Sequence, residues 1–137
     1  MSGERPPFRV KAEAERAFNG MLAARLEAEG HTVYLPQREA PESEGLERRR
    51  QIFRANVSGL ASVDVVVGVC EGPQVDDGTA WEVGYAASRG IPVYGLRTDP
   101  RLTQRADEPI NLMILESLRA LLPSVEALLA ALRGHRA

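Results

Sequence analysis

Three carboxylates follow the most apolar segment of the chain. Val65–Val69 is a fully apolar run, which is typical of a central parallel strand that is covered on both faces. Asp76, Asp77 and Glu82 come shortly after it. Because ligands of open α/β sheets bind just beyond the carboxyl ends of such strands, we expect these side chains to gather at a functional site.

Glu82 has two interpretations on the sequence alone. The segment Thr79–Glu82 fits a capping box, in which Glu82 satisfies a free backbone N–H group at a helix start. A carboxylate kept ionised near a helix terminus can instead attack an electrophilic carbon, while Asp76 handles the proton of the leaving group. Two-carboxylate displacement at an anomeric carbon works in this way, with the acids about 5 Å apart when configuration is retained. Asp77 is expected to cap or to be solvated. Trp81 could stack on a base, but packing into the core or an interface is the expected role.

The elements that position these residues follow from hydrophobic periodicity and from turn residues. Five segments have the pattern of helices: Lys11–Glu29, Leu46–Leu60, Thr79–Arg89, Asn111–Leu118 and Ser124–Arg133. Four short segments have the pattern of strands: Thr32–Leu35, Val63–Cys70, Ile91–Leu96 and Ala120–Leu122. Helices that alternate with short apolar strands predict a parallel α/β sheet with helices on both faces.

The start of the chain is unusual for such a fold, which normally begins with a buried strand. A polar decapeptide precedes the first predicted helix. We therefore expect the first strand to be missing or shortened. The predicted organisation is a polar N-terminal segment over residues 1–10 and a single domain over residues 11–137.

Composition limits the classes of function. The chain has 137 residues, a formal net charge of -2 and one cysteine, which argues against a basic nucleic-acid surface and excludes an internal disulfide. The sequence contains no cluster of Cys and His that would indicate a zinc site. No apolar stretch has the length of a membrane span, and the first residues lack the apolar core of a signal peptide. A cytoplasmic location is expected.

Four motifs in order resemble those of the nucleoside 2-deoxyribosyltransferase family. They are DVVVGV at Asp64–Val69, DDGTAWEVGYA at Asp76–Ala86, GIPVYGLRTD at Gly90–Asp99 and PINLM at Pro109–Met113. The resemblance runs from about Phe8 to Leu129. It implies a flavodoxin-like, three-layer αβα domain with a parallel sheet.

The resemblance also implies an activity and a set of site residues. The expected reaction cleaves the N-glycosidic bond of a 2'-deoxynucleoside and transfers the deoxyribosyl group to another nucleobase. Glu82 would attack the anomeric carbon and carry the sugar as a covalent ester, while Asp76 would help to protonate the departing base. Substrate-binding roles are implied for five further residues: Phe8, Asn56, Gly78, Asn111 and Met113.

The same resemblance implies the partners of the chain. Its ligands would be a nucleoside or nucleotide and a free nucleobase, with no metal or organic cofactor and no nucleic acid or membrane partner. In the family, the Asn that matches Asn111 is typically lent to the site of a neighbouring subunit. The expected assembly is therefore a homodimer or a higher homo-oligomer.

Two departures from the family pattern keep other functions open. Arg5–Phe8 occupies the place of the family's first turn, and Asn56 stands where relatives typically carry an Asp. Because an amide cannot donate a carboxylic proton, proton delivery would rest on Asp76 or on water. One alternative is hydrolysis of nucleosides or nucleoside 5'-monophosphates, with Arg97 and Arg101 as candidate phosphate ligands. The other is a nucleoside-binding module without catalysis.

Overall fold

The computed structural model describes residues 6–13, 16–34, 44–99 and 109–135. Within these residues five strands form one parallel sheet: β1 (Arg9–Glu13), β2 (Thr32–Tyr34), β3 (Val65–Val69), β4 (Val93–Leu96) and β5 (Ala120–Leu122). The helices between and after them are α1 (Arg16–Ala28), α2 (Gly45–Ser62), α3 (Asp77–Ser88), α4 (Leu112–Leu115) and α5 (Val125–Arg133). The strand order is β2-β1-β3-β4-β5, so β1 and β3 are neighbours at the point where the order reverses. Such a switch point is where doubly wound sheets bind their ligands.

The strands divide the core into two layers because their side chains alternate between the faces of the sheet. On one face, Val65 and Val67 pack with buried leucines of α1 and α5. On the other face, Val66 packs with Leu60 of α2 and Val83 of α3. The predicted three-layer αβα fold with a parallel sheet is confirmed, and the fully buried β3 shows the pattern expected of a central strand.

The expectation of a missing or shortened first strand needs correction. Residues that were predicted to open a helix at Lys11 form β1, a five-residue strand in the middle of the sheet. The predicted boundary between residues 10 and 11 therefore falls inside a strand. Strand β1 was not predicted because Lys11 occupies a buried position that is normally apolar. Val10 and Ala12 face the opposite layer, which holds α1 and α5.

Contacts at its amino end anchor β1. Burial lowers the pKa of His31, so its neutral Nδ1 accepts a hydrogen bond from the backbone N–H of Phe8 at 2.9 Å. The backbone N–H of Arg9 donates to Asp64 Oδ2 at 2.8 Å, and the Arg9 guanidinium holds the pKa of Asp64 below its usual value. These bonds join β1 to the starts of β2 and β3. They fix the register that aligns Lys11 with Tyr34 and Val66.

Other element boundaries differ from prediction by a few residues. Strand β4 begins at Val93 because Pro92 lacks an N–H, although its carbonyl still accepts from Val66 N at 3.0 Å. Helix α4 is a single turn, where the pattern predicted a longer helix over Asn111–Leu118. In the part of the chain that the structure describes, no helix combines the length and the apolar composition that a membrane crossing requires.

A close approach between α2 and β2 fixes the ring of Tyr34. A Cβ atom added at Gly59 would lie 2.4 Å from Tyr34 Cε1. The ring cannot yield easily, because its hydroxyl donates to the Ala55 carbonyl at 3.0 Å. Gly59 therefore lets the Tyr34 ring lie near Lys11, whose Nζ is 5.9 Å from the ring centroid.

We predict opposite stability effects for two helical glycine substitutions. Gly20→Ala in α1 meets no atom within 4 Å, so it should raise the free energy of unfolding by about 0.5–1 kcal/mol through helix propensity. Gly59→Ala has the same propensity gain but overpacks against Tyr34, which typically costs about 1–3 kcal/mol. Urea denaturation of the two variants measures the difference. Equal stabilisation by both would show that Tyr34 moves freely.

Candidate active site

A cavity of about 450 Å³ lies between α2 and α3. Seven residues line it: Phe53, Asn56 and Val57 of α2, and Asp77, Gly78, Trp81 and Glu82 of α3. Both helices pack on the same face of the sheet, and β3 runs between them in sequence. The volume falls within the range of small-molecule sites, about 300–1,000 Å³. A compact organic ligand is therefore the kind of molecule that this cavity fits.

Asp76 caps helix α3, which places Glu82 in the second turn. The Asp76 Oδ2 atom accepts a hydrogen bond from the backbone N–H of Thr79 at 3.2 Å, and Asp77 is the first helical residue. The capping box predicted for Thr79–Glu82 is therefore wrong, because Asp76 already satisfies this end of the helix. The Glu82 carboxylate therefore does not cap α3 and is available for other contacts.

Glu82 forms an ion pair with a lysine in the interior of the sheet. Lys11 Nζ lies 2.8 Å from Glu82 Oε1, and the side chains are 0% and 9% exposed. Lysines are almost never fully buried without a partner. Lys11 lies between β2 and β3, in register with Tyr34 and Val66. The pair holds one oxygen of the Glu82 carboxylate at a fixed point beside the cavity.

A small residue on β3 lets α3 come close enough for this contact. A Cβ atom added at Gly68 would lie 3.2 Å from Val83 Cγ2 and 3.6 Å from Thr79 Cγ2. Glycine inside a strand often marks such an approach of a neighbouring element. Because Val83 follows Glu82 directly, the approach at Gly68 also sets the depth of the candidate nucleophile.

Aromatic side chains form the rim of the cavity. The rings of Phe53 and Trp81 meet edge to face with centroids 5.8 Å apart, and both side chains are about half exposed. Trp81 also stacks on Tyr85 at 5.4 Å, although its ring does not enter the core of the chain. The remaining exposed ring surface offers a planar ligand an apolar face on which to stack.

The structure brings together some of the predicted site residues. Asn56 and Gly78 line the same cavity as Glu82, and Asp76 caps the helix that carries Gly78 and Glu82. Phe8 lies at the amino end of β1, where it is buried and stacks on His31. The fold does not bring Phe8 to this cavity.

Asn111 and Met113 lie elsewhere in the chain. They line another cavity, of about 830 Å³, together with residues from the opposite side of α3. Asn111 caps α4, since its Oδ1 accepts from the backbone N–H of Met113 at 2.8 Å. Met113 and Leu112 are strongly exposed. Within one chain, neither Asn111 nor Met113 lines the cavity of Glu82.

The charged residues after β3 and β4 stabilise loops. Arg97 is buried, and its Nη1 donates to the carbonyl oxygens of Cys70 at 2.5 Å and Gly72 at 2.9 Å. Glu71 accepts from the backbone N–H of Thr98 at 2.8 Å. Arg101, the other candidate phosphate ligand, lies outside the described residues.

Neither a metal centre nor a reactive thiol is evident at this end of the sheet. Burial raises the pKa of Cys70 to about 11, so its thiol is protonated at neutral pH and is a poor nucleophile. No group of three or more His, Cys, Asp or Glu side chains is placed to hold a metal ion in the parts of the chain described above.

Two contributors to the site were missed in the sequence. Lys11 was assigned to a helix, and Phe53 was not among the predicted site residues, although more than half of its surface is exposed beside the cavity. The available signal for Lys11 was its place in the alternation of Val10, Lys11 and Ala12. A lysine between two apolar residues that share the opposite face is compatible with a strand whose other face holds a buried carboxylate.

One family model and one solved structure name the same family. Residues 7–113 match the family model described as nucleoside 2-deoxyribosyltransferase. A solved 2-deoxyribosyltransferase from Bacillus psychrosaccharolyticus aligns with a TM-score of 0.74 and 26% identity. The alignment covers 93% of this chain and 91% of the Bacillus chain. No curated protein gives a significant match.

Two further solved structures share the fold. A conserved protein from Enterococcus faecalis V583 aligns with a TM-score of 0.78 and 24% identity. The alignment covers 91% of this chain and 96% of the Enterococcus chain. A CMP N-glycosidase from Clostridium botulinum aligns with a TM-score of 0.64 and 18% identity. The alignment covers 90% of this chain and 97% of the Clostridium chain.

We predict that the Lys11–Glu82 pair shows strong coupling in stability. Glu82→Gln leaves a buried ammonium without its counter-charge, and such a loss typically costs about 3–5 kcal/mol. Lys11→Met should cost less, because Glu82 borders a cavity that water can enter. Adding Lys11→Met to Glu82→Gln should therefore restore stability. Urea denaturation of the wild type, the two single variants and the double variant gives a double-mutant cycle. Additive losses of stability would contradict the coupling.

Proposed function

This chain belongs to the nucleoside 2-deoxyribosyltransferase family, and we propose that it transfers a deoxyribosyl group between nucleobases through Glu82. The observation that carries the proposal is the position of the Glu82 carboxylate. It lies against Lys11 at the wall of a cavity with an aromatic rim. A nucleoside matches this cavity, because its flat base can stack on the aromatic rim and its sugar brings an electrophilic carbon to Glu82.

In the first step, a carboxylate oxygen of Glu82 forms a bond to the anomeric carbon of the sugar. The bond between that carbon and the base nitrogen breaks, and its electron pair goes to the base, which takes up a proton. Lys11 holds Oε1, so the other oxygen is the one available to the sugar. In the second step another base attacks the anomeric carbon, its N–H proton replaces the one given to the departing base, and the electron pair of the ester bond returns to Glu82.

Proton transfer to the departing base is assigned to Asp76. It is exposed at the start of α3, on the same helix as Glu82. Asn56 lines the cavity and offers hydrogen bonds to base or sugar without a titratable proton. Gly78 leaves space beside the Asp76 carboxylate, since a Cβ atom at this position would lie 3.2 Å from Asp76 Oδ2.

Base exchange is the direct test. Purified protein is incubated with deoxyinosine, with and without adenine, and the products are separated by chromatography beside the Glu82→Gln variant. We expect deoxyadenosine from the wild type when adenine is present, and none from Glu82→Gln. Circular dichroism confirms that the variant is folded, and Lys11→Met/Glu82→Gln serves as the more stable inactive control.

The other outcomes of this assay decide between the alternatives. Hypoxanthine released without exchange would identify a hydrolase, a reaction type represented on this fold by the CMP N-glycosidase of Clostridium botulinum. Unchanged deoxyinosine, followed by no turnover of deoxynucleoside 5'-monophosphates, would contradict catalysis and leave a binding module.

A pair of Asp76 variants separates its capping role from its acid role in the same assay. Asp76→Asn keeps an oxygen that can cap α3, whereas Asp76→Ala loses the cap at a cost of about 1 kcal/mol. If Asp76 supplies the proton, Asp76→Asn should lower exchange by about 10²-fold or more while stability is retained. Full activity in Asp76→Asn would show that Asp76 only caps the helix.

We also propose that the active unit is a homo-oligomer in which Asn111 and Met113 serve the site of a neighbour. Both line a cavity other than that of Glu82. Leu112 and Met113 expose apolar surface next to Asn111, and Phe53 exposes apolar surface at the Glu82 cavity. Contact between these two surfaces in different subunits would cover both.

Complementation between inactive chains tests this shared site. Chains carrying Glu82→Gln are mixed with chains carrying Asn111→Ala under conditions of subunit exchange. We expect recovery of about a quarter of wild-type exchange activity, because half of randomly paired dimers are mixed and each has one intact site. Glu82→Gln mixed with Glu82→Gln/Asn111→Ala cannot form an intact site and is the control. No recovery would mean that Asn111 does not act across an interface.

A further inference from the structure

We propose that Lys11 shortens the lifetime of the glycosyl-Glu82 ester, as a positioning residue that acts through the carboxylate. This inference rests on the proposed function, since it requires a covalent intermediate on Glu82. Its basis is the direct contact of the Lys11 ammonium with the carboxylate at 2.8 Å and the complete burial of the lysine side chain.

The surroundings of Lys11 hold the ammonium in place. Its strand lies between β2 and β3, and the Tyr34 ring lies over its ammonium at 5.9 Å. That ring is fixed in turn by Gly59 and by the hydrogen bond to Ala55. Because the side chain has no exposed surface, it cannot turn to bulk water when its counter-charge disappears.

The charge balance changes during the proposed reaction. In the free enzyme the Glu82 carboxylate is negative and Lys11 is positive, so the buried pair is neutral. When a carboxylate oxygen bonds to the anomeric carbon and the base leaves with the electron pair, Glu82 becomes a neutral ester. The Lys11 ammonium then loses the counter-charge of Glu82, which is unfavourable for a buried cation.

Breakdown of the ester reverses this imbalance. As the bond between the anomeric carbon and Glu82 breaks, its electron pair returns to the carboxylate, and negative charge develops beside Lys11. A fixed charge directed at the place where opposite charge develops stabilises that transition state. Lys11 therefore raises the free energy of the ester relative to the transition state for its breakdown, so little ester accumulates.

The occupancy of the ester can be measured by rapid acid quench and intact-protein mass spectrometry under saturating deoxyinosine and adenine. We expect a small glycosylated fraction in the wild type. Two neutral variants, Lys11→Met and Lys11→Gln, should raise that fraction relative to unmodified enzyme by at least about tenfold and lower kcat, as expected when breakdown becomes rate-limiting. A merely structural role would instead lower the ester and the turnover together.

Arg9→Met is the matched control for the loss of a cation from β1. Arg9 is on the same strand and the same face as Lys11, but its carboxylate partner is Asp64 at 2.7 Å, outside the Glu82 cavity. We expect this variant to keep the wild-type ester fraction. An ester fraction that rises in Arg9→Met as well would overturn the specific role of Lys11.

The remaining outcomes separate this inference from the proposed function. A wild type that forms neither ester nor exchanged product overturns both. Exchange that depends on Glu82, with an unchanged ester fraction in both Lys11 variants, overturns the role of Lys11 alone. If neither variant folds, the wild type decides: a largely glycosylated enzyme at saturating donor contradicts the inference, and a sparse ester supports it.

Discussion

The buried ion pair between Lys11 and Glu82 is the interaction on which the geometry of the candidate active site depends. Removing two charges from water is costly, and the cost is recovered only when the geometry of the pair is good. Here the contact is 2.8 Å and the lysine is fully enclosed. A central strand and a helix must therefore meet at one defined register and depth. The pair gives the carboxylate a fixed position that neither element would supply alone.

Small residues supply the space that this geometry requires. Gly68 lets α3 approach β3, and Gly59 lets α2 approach the ring of Tyr34. A larger side chain at Gly68 would press on Val83 of α3, and one at Gly59 would press on the Tyr34 ring that lies near Lys11. The two glycines lie nine residues apart, on α2 and β3, and each bears on one side of the Lys11–Glu82 contact. The cavity between α2 and α3 is thus defined by close packing beneath it as much as by the residues that line it.

The sequence predicted what depends on local pattern. The apolar run of β3 and the acids that follow it located the region of Glu82, and the alternation of helices and strands gave the three-layer fold. Strand β1 was missed because its inward residue is a charged one, and the charge is tolerated only through a partner distant in sequence. The capping box was misread because Asp76 and Thr79 are both good N-cap residues, and the helix start alone decides which one caps.

The placement of the remaining charges bears on the class of substrate. The guanidinium of Arg97 is buried and donates to the carbonyls of Cys70 and Gly72, and Glu71 is occupied by the backbone of the next loop. These groups stabilise the loops after β3 and β4. A phosphate ligand at this edge would compete with these loops for the Arg97 guanidinium. Among the described residues, this engagement of Arg97 supports the proposal of a neutral nucleoside as substrate, with its base on the aromatic rim and its sugar at Glu82.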